Sequence, residues 1–565
     1  MTIIGWLQFA LLFIAVFVCV KPLGIYLHRV FEGERTFLDP LLKPVERATY
    51  AVCRVDDSRE MRWTTYAFAF FAFQFVGFAW LYLVLLTQQW LPFNPQHFPN
   101  LSPDLAFNTA ISFVTNTNWQ FYSGESTLSY FSQMAGLAWH MFTSSASGIT
   151  IAVVLIRGIV RTDRQTLGNY WVDMTRTIFY VLAPIAFVGA LVLLWQGVPQ
   201  NFSPYTDTVS VEGAKVSIPQ GPMASMESIK ELGNNGGGFV NANSSSPDEN
   251  PNPFTSWLEL FFELLIPAAL TYTFGRYARD QRQGWALFGA MSTLYILGFW
   301  ACYYFQSQPN ALMAAHGIFK SFEGLETRFG IAASAMFAVT TTATSTGAVN
   351  SMHDSFLPMA GAIPLINIQT GEVIFGGVGA GMYGMLEFVI FTVFIAGLMV
   401  GRTPEYLGKK IERKQVVMAS LAILSIAFFT LVPAAITSVV PAGLAALGNA
   451  GPHGFSEILY MTTSMTGNNG SAFAGISGNT FTELIGGVTL FGGRYAEIIP
   501  VLGLAGSLAG KRAVPVSSGT FKTTTPLFVF LLIGVVLIVG LLTFLPGDAL
   551  GPFVEHLLMN QGKTY

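Results

Sequence analysis

Ten long apolar stretches constrain this chain more than any other feature of its sequence. A helix needs roughly 20 mostly apolar residues to cross the hydrocarbon core of a bilayer. The stretches that qualify are residues 4–20, 64–88, 129–156, 177–196, 255–275, 285–305, 381–400, 416–440, 480–509 and 524–545. Only 11% of the residues are charged, against roughly 25% in an average soluble domain. The sequence therefore predicts an all-α polytopic membrane protein with ten transmembrane helices and excludes an ordinary soluble enzyme.

Basic residues are concentrated in alternate connections between these stretches. The connections 21–62, 157–176, 276–282, 402–414 and 511–522 contain 23 of the 29 Lys and Arg residues. Because Lys and Arg accumulate on the cytoplasmic side of a membrane, this asymmetry predicts that both termini lie outside. The net charge is −3, and no basic face with interleaved aromatic residues is present, so nucleic acid is excluded as a partner.

The outer connections contain four apolar segments that are too short to span the membrane. They are residues 103–120, 223–244, 329–350 and 454–475, and each ends in Gly, Asn, Thr and Ser. Aligning Gln120, Gly236, Gly347 and Gly470 gives spacings of 116, 111 and 123 residues, which indicates a repeated unit of span, re-entrant segment and span. Ordinary amphipathic outer loops are the alternative interpretation of any one segment.

Four such units and two flanking helices make up the predicted organisation. The predicted segments are 1–62 (an additional helix and cytoplasmic loop), 63–160, 176–276, 284–401 and 415–510 (repeats 1 to 4), and 523–565 (the last helix and an outer tail). An even number of spans per unit keeps all re-entrant segments on one side. We therefore expect them to converge about a pseudo-fourfold axis.

The ends of the four segments predict an ion-selectivity filter. Non-helical backbone at membrane depth is tolerated only where it is buried in protein or lines a watery path. The motifs TNTNWQ (115–120), GNNGGG (233–238), TSTG (344–347) and GNNGS (467–471) contain no Asp or Glu. A ring of neutral oxygens suits K⁺, whereas Ca²⁺ and Mg²⁺ sites usually contain carboxylates.

The chain contains no nucleotide site of its own. The candidate phosphate-binding loops ending at 512 and 564 lack the first glycine of that motif, and the phosphorylation signature DKTGT of P-type ATPases is absent. We therefore predict no catalytic site in this chain, and energy for transport would come from a partner.

Charged residues within the predicted spans suggest a second functional region. Arg494 lies in the ninth span, with Glu372 and Glu497 as candidate partners, and it either repels a cation from one exit or forms a buried salt bridge. The glycine-rich segment 370–384, which includes Gly377 and Gly379, would break a helix and form a gate, or it is an ordinary outer loop. The roles of Glu259, Glu263 and Glu387 stay open between ion contact and structural pairing.

Four longer motifs carry a resemblance to a known family. TNTNWQ, LGNNGGGFVNANS, TTTATSTGAVNSMHDS and NNGSAFAG, in this order in a chain of this length, resemble the KdpA family, the A chains of the bacterial Kdp potassium-transporting P-type ATPases. The resemblance implies a potassium-binding and translocating subunit of an ATP-driven import complex in the bacterial cell (inner) membrane. It implies a P-type ATPase B chain, a single-span C chain and a small F peptide as partners. K⁺ is the implied transported ion, with no organic cofactor and with ATP used by the partner chain only.

The same resemblance assigns site residues by matching motif. The implied filter residues are Asn116, Thr117, Asn118, Gln120, Asn235, Gly236, Gly237, Thr344, Ser345, Thr346, Gly347, Asn468, Asn469 and Gly470, and those of the gate or exit are Glu372, Gly377, Gly379 and Arg494. The first loop has no glycine before Gly124 and TVGYG is absent, which favours an asymmetric entry site over a row of equivalent sites. A stand-alone K⁺ channel or symporter of the same superfamily and a non-conducting scaffold are the alternatives.

Overall fold

The computed structural model describes residues 1–399, 401, 403–471, 475–514 and 520–563. Within these ranges, ten helices are long and apolar enough to cross a membrane. Spans 1 to 10 are Ile3–Glu32, Trp63–Trp90, Ser132–Val160, Tyr170–Trp195, Pro253–Tyr277, Gln281–Ala314, Ala380–Met399, Arg413–Thr437, Thr480–Ala509 and Pro526–Asn560. The predicted all-α membrane fold with ten spans is therefore confirmed, although residue 400, the predicted end of span 7, lies outside the described residues.

The boundaries of spans 1 and 4 differ from the prediction for local reasons. Span 1 continues past Pro22 and ends at Glu32. Gly33 caps it, because its left-handed backbone (φ 70°) lets its N–H donate to the carbonyls of Arg29 and Val30. A separate helix, Asp39–Cys53, then occupies part of the predicted loop. Span 4 begins at Tyr170 rather than 177, because the Asn169 side chain caps it by accepting from the Trp171 N–H.

Each predicted re-entrant segment contains one short helix. Re-entrant helices 1 to 4 are Pro103–Val114, Met223–Leu232, Gly330–Ala343 and Gly451–Thr466. The longest has 16 residues and is about 24 Å long, which is shorter than a hydrocarbon core of about 30 Å. Residues 472–474 at the end of the fourth predicted segment lie outside the described residues.

Among the described residues, the third unit contains an interruption that the other three units lack. Helix Pro358–Gln369 comes before span 7, and residues 370–379 between the two helices are not helical. The predicted break at 370–384 is therefore shorter than expected, since the helix resumes at Ala380. Other helices are Gly124–Thr127, Asn243–Ser245, His353–Ser355 and Pro441–Leu444; the strand pairs are Thr206–Val209 with Lys215–Ile218 and Glu405–Tyr406 with Lys409–Lys410.

The second span of each unit lies inside the molecule and the first span lies outside. Between 67% and 94% of the most apolar stretch is buried in spans 3, 5, 7 and 9, against 22% to 56% in the other six. The outer spans expose apolar side chains as lipid-facing helices do. The inner spans, together with the re-entrant helices, surround the centre of the fold.

A charged cluster holds the end of the chain to units 3 and 4. His453 Nδ1 is 2.8 Å from Glu555 Oε1, and its Nε2 is 2.8 Å from Asp354 Oδ1. Burial lowers the pKa of His453, but its hydrogen bonds with Asp354 and Glu555 and their charges outweigh that effect and raise the pKa to about 10. The imidazolium therefore ties the helix Val554–Asn560 to re-entrant helix 4.

We expect this attachment to weaken as the pH rises. The pKa is higher in the folded state, so the stabilisation is complete below the ordinary value of 6.5 and is lost as pH rises toward about 10. The hydrogen-exchange protection factors of residues 554–560, which are corrected for the base catalysis of intrinsic exchange, should therefore be lower at pH 10 than at pH 6. In His453→Gln this pH dependence of protection should be absent, and an equal loss of protection in that variant would contradict the assignment.

Candidate ion-binding site

The four loops that follow the re-entrant helices share one backbone pattern. Loops 1 to 4 are residues 115–120, 233–238, 344–349 and 467–471. Each has two left-handed residues separated by one position: Asn116 and Asn118, Asn234 and Gly236, Ser345 and Gly347, and Asn468 and Gly470, with φ between 49° and 87°. Glycine and asparagine adopt this conformation most readily. The repeated dihedrals show that the loops have equivalent conformations despite their different sequences.

The backbone dihedral angles distinguish Gln120 from the other predicted filter residues. Asn118, and not Gln120, is equivalent to Gly236, because it has the second positive φ of loop 1. Gln120 Nε2 donates to the Gly238 carbonyl and to the Tyr122 hydroxyl, each at 3.1 Å. Gln120 therefore links loop 1 to loop 2, and its place in the filter stays a prediction. Sequence alignment on the last polar residue of the motif could not detect this two-residue offset.

Close backbone contacts join the loops into a closed ring. A Cβ atom added to Gly236 would lie 2.0 Å from the Thr346 carbonyl oxygen. The corresponding distances are 1.9 Å from Gly347 to the Asn469 oxygen and 1.7 Å from Gly470 to the Thr117 oxygen. Only glycine fits at these three junctions, since real Cβ atoms do not approach other atoms so closely.

The fourth junction explains the extra glycine of loop 2. Loop 1 carries Asn118 where the other loops carry glycine, and its Cβ needs space beside loop 2. A Cβ on Gly237 would lie 2.7 Å from the Asn118 Cβ. Gly237 thus makes room for Asn118. The Asn118 amide is 1% exposed, and neither its oxygen nor its nitrogen has a hydrogen-bond partner among the described residues.

The first left-handed residue of each loop donates a side-chain hydrogen bond to the next loop. The four bonds are Asn116 Nδ2 to the Asn234 carbonyl (2.8 Å), Asn234 Nδ2 to Thr346 Oγ1 (2.8 Å), Ser345 Oγ to the Gly467 carbonyl (3.1 Å) and Asn468 Nδ2 to Thr117 Oγ1 (2.9 Å). These bonds form a cycle around the ring. They fix the loops relative to one another without using any charged group.

In each loop, the residue between the two left-handed residues has a backbone carbonyl that accepts no hydrogen bond from the described residues. Its side chain bonds to other parts of the protein: Thr117 to Thr115, Asn235 to Ser145, Thr346 to Thr344 and Asn469 to the Thr341 carbonyl. The four backbone carbonyls at this position accept no hydrogen bond from any residue in the described ranges, although all four residues are 0% exposed. Because buried carbonyls are normally paired, four equivalent unpaired oxygens are suited to replacing the water shell of a monovalent cation.

The interrupted helix of unit 3 contacts loops 3 and 4 close to the ends of their re-entrant helices. A Cβ on Gly377 would lie 3.2 Å from the Ser345 Cβ, and one on Gly379 would lie 2.1 Å from the Gly148 carbonyl oxygen of span 3. A Cβ on Gly467 would lie 3.0 Å from Glu372 Oε1. The break at 370–379 therefore lies against loops 3 and 4.

Arg494 is buried in the same region without a carboxylate partner. It is 5% exposed, and its Nη1 donates to the Tyr383 hydroxyl at 3.4 Å. Within the described residues no carboxylate oxygen lies within 4.0 Å of its guanidinium. Neither candidate partner, Glu372 or Glu497, therefore forms a direct ion pair with Arg494, and Glu372 lies beside Gly467.

Several supporting residues were not predicted from the sequence. Ser144 and Ser145 of span 3 donate to Asn116 Oδ1 at 2.6 Å and 3.1 Å. Two adjacent serines within a membrane span were the available signal. Lys230 of re-entrant helix 2 is also fully buried beside loop 2, and a lysine within an intramembrane segment was a signal of the same kind.

Glu259, Glu263 and Glu387, whose roles the sequence left open, lie in three different environments. Glu263 Oε2 accepts from Thr344 Oγ1 at 3.0 Å, so it braces loop 3. Glu259 lies with Glu227 and Glu231 in a buried acidic group, and neither of its oxygens has a partner among the described residues. Glu387 is buried in span 7, and its Oε1 has no hydrogen-bond partner among the described residues.

Known proteins match the chain along its whole length. The family model described as "KdpA: Potassium-transporting ATPase A subunit" matches residues 10–557. Proteins named potassium-transporting ATPase potassium-binding subunit are similar: that of Mesorhizobium japonicum is 53% identical over 100% of both chains, and that of Methylobacterium radiotolerans is 54% identical over 100% of this chain and 99% of its own. The crystal structure of the potassium transporter TrkH from Vibrio parahaemolyticus aligns with a TM-score of 0.49 at 16% identity, covering 75% of this chain and 82% of TrkH. On the family match and these relatives, this chain belongs to the KdpA family, the A subunits of potassium-transporting ATPases.

Proposed function

We propose that this chain is the potassium-binding and translocating subunit of an ATP-driven import complex. The ring of four buried, unpaired carbonyls at Thr117, Asn235, Thr346 and Asn469 carries this proposal. The ring offers neutral oxygens, which suit K⁺ better than a divalent ion. Family membership and the name of the curated relatives, potassium-binding subunit, support the same ion.

The proposed filter consists of loops 1 to 4. Its members are Asn116, Thr117, Asn118, Asn235, Gly236, Gly237, Thr344, Ser345, Thr346, Gly347, Asn468, Asn469 and Gly470, with Gln120 as a brace between loops 1 and 2. Loop 1 alone has a loop asparagine, Asn118, with neither amide atom hydrogen-bonded among the described residues, and this difference supports an asymmetric site. The four repeats bounded at 63–160, 176–276, 284–401 and 415–510 are part of the same proposal.

The energy source and the partner chains are inferred from two sequence motifs that this chain lacks. Its sequence has neither a phosphate-binding loop nor a phosphorylation motif, so ATP is hydrolysed on a partner chain. We infer a complex with a P-type ATPase B chain, a single-span C chain and a small F peptide, in the bacterial inner membrane. Potassium would enter from outside, the side on which the basic-residue asymmetry predicts both termini, and the proposal requires no organic cofactor.

We also propose that the region below the ring directs the ion's exit. A unit charge about 8 Å from a K⁺ ion opposes it by about 2 kcal/mol at an effective dielectric constant of about 20. Arg494, buried and without a carboxylate partner in the described chain, can supply that barrier. The break containing Glu372, Gly377 and Gly379 lies beside loops 3 and 4 and can provide the alternative route.

Potassium binding and energy coupling can be tested separately. The purified full-length chain should bind K⁺ in preference to Na⁺ and should not hydrolyse ATP. Reconstituted in vesicles with its ATPase partner, it should support K⁺-stimulated ATP hydrolysis together with K⁺ uptake. ATP hydrolysis by the isolated chain would contradict the proposal. Large K⁺ flux without any partner would instead establish a stand-alone channel or symporter, and an assembling chain that binds no K⁺ would establish a scaffold.

A further inference from the structure

A buried ammonium ion lies directly behind loop 2. Lys230 of re-entrant helix 2 is 0% exposed. Its Nζ is close to three buried carboxylates: Glu227 at 2.7 Å, Glu249 at 2.9 Å and Glu231 at 3.3 Å. It also donates to Ser244 Oγ at 3.2 Å and to Asn243 Oδ1 at 2.9 Å. Burying an ammonium ion is costly unless it is paired and hydrogen-bonded, and Lys230 satisfies both conditions.

Asn243 connects this lysine to the ring. Its Oδ1 accepts from Lys230, and its Nδ2 donates to the Gly236 carbonyl oxygen at 2.6 Å. An ammonium group has donors only, whereas an asparagine amide has an acceptor on one side and a donor on the other. Lys230 therefore favours the amide orientation with the oxygen toward the lysine and the nitrogen toward Gly236. The backbone N–H groups of Ser244 (2.9 Å) and Val349 (3.4 Å) donate to the same oxygen, and Lys230 adds a charged donor to them. Without the lysine, the amide loses its charge-assisted hydrogen bond and holds the Gly236 carbonyl less firmly.

The hydrogen bond from Asn243 to the Gly236 carbonyl affects the geometry of the ring. Glycine does not hold its own dihedral angles as other residues do. Gly236 meets loop 3 at Thr346, and it directly follows Asn235, whose carbonyl is one of the four unpaired oxygens. Rotation of the peptide after Gly236 would be transmitted to that neighbouring oxygen.

We propose that Lys230 is a positioning residue for ion selectivity, acting through the amide of Asn243 on the Gly236 backbone. The inference rests on the proposed potassium filter and adds a specificity-determining residue outside it. Lys230 does not contact the ring residues with its charged group. Its effect depends on one intermediate side chain, and this dependence makes the proposal testable by a double-mutant cycle.

The experiment compares four variants of the full-length chain in lipid nanodiscs: Lys230→Met, Asn243→Gly, the double variant and Ser228→Ala. Glycine suits the left-handed backbone of Asn243 (φ 54°). Ser228 is the matched control, because it loses a buried hydrogen bond from the same helix, to the Ala186 carbonyl, without touching the Lys230–Asn243 link. The measured quantity is the ratio of K⁺ to Na⁺ affinity from calorimetric titration.

Each of the first two substitutions should lower this ratio about tenfold, as loss of outer-shell support typically does. The double variant should lose no more than either single variant, and Ser228→Ala should retain the wild-type ratio. An unchanged ratio in folded Lys230→Met and Asn243→Gly, or losses that multiply in the double variant, would overturn the inference. If Lys230→Met does not fold, Asn243→Gly decides, with a tenfold loss supporting the proposal and an unchanged ratio refuting it. Wild-type protein that does not prefer K⁺ would contradict the proposed function instead.

Discussion

Gly470→Ala should abolish selective potassium binding, with an affinity loss on the order of a hundredfold. The added Cβ would lie 1.7 Å from the Thr117 carbonyl oxygen and 3.0 Å from the Trp119 nitrogen. Both are backbone atoms, so no side-chain rotation can relieve the clash, and loops 1 and 4 must separate. The Thr117 oxygen is itself one of the four ring oxygens, so its displacement changes the site directly. Titration of K⁺ against the purified chain measures the loss.

Gly317 provides a control that distinguishes the steric clash at Gly470 from backbone strain. Gly317 has a similar left-handed backbone, with φ 81° against 74° for Gly470, but a Cβ there would meet no atom within 4 Å. Alanine at either position pays the same left-handed penalty of roughly 1–2 kcal/mol. Gly317→Ala should therefore keep wild-type K⁺ affinity, and comparable losses in the two variants would show that the close approach at Gly470 is not the cause.

Asp173→Asn should cause the largest loss of stability, about 3–5 kcal/mol. Arg157 Nη1 donates to Asp173 Oδ2 at 2.7 Å, and Arg157 Nη2 donates to Asp173 Oδ1 at 3.0 Å. The side chain of Asp173 is only 2% exposed and that of Arg157 only 5%. The same arginine donates to the Phe31 carbonyl at 3.0 Å, so the pair joins the ends of spans 1, 3 and 4. Removing the carboxylate leaves a buried guanidinium without its counter-charge. Thermal unfolding in detergent, read at a fixed heating rate, measures the effect.

The loss should reflect the unpaired charge rather than the lost contact. Arg157→Met combined with Asp173→Leu removes both charges and should recover most of the stability, since apolar replacement of a buried pair is often neutral. Arg282→Ala breaks an exposed pair with Asp280 and should change little. Potassium affinity of the folded variants should stay unchanged, because Arg157 is about 18 Å along span 3 from Ser145, which contacts loop 1. A stable Asp173→Asn protein would show that the buried pair is dispensable.

Hydropathy and local motifs were enough to predict the membrane fold. Each span needs roughly 20 apolar residues whatever its neighbours are, so the ten spans could be recognised one at a time. Glycine, asparagine and threonine at the ends of short apolar segments marked the four loops for a similar local reason, because these residues favour irregular backbone. The glycine-rich sequence near residue 376 likewise predicted an interrupted helix.

Contacts between units could not be read from the sequence, because they join residues more than a hundred positions apart. The equivalence of Asn118 with Gly236 depends on backbone dihedrals, and the room that Gly237 provides depends on how loops 1 and 2 meet. The separation of Arg494 from Glu372 depends in the same way on helix placement. The link from Lys230 through Asn243 to Gly236 is closer in sequence, but it depends on how the chain folds back after loop 2. The sequence alone determined the ten spans and the neutral, glycine-rich loops, since both follow from local composition. Only the tertiary structure decided which oxygens meet and which charges pair, since those depend on packing between distant segments.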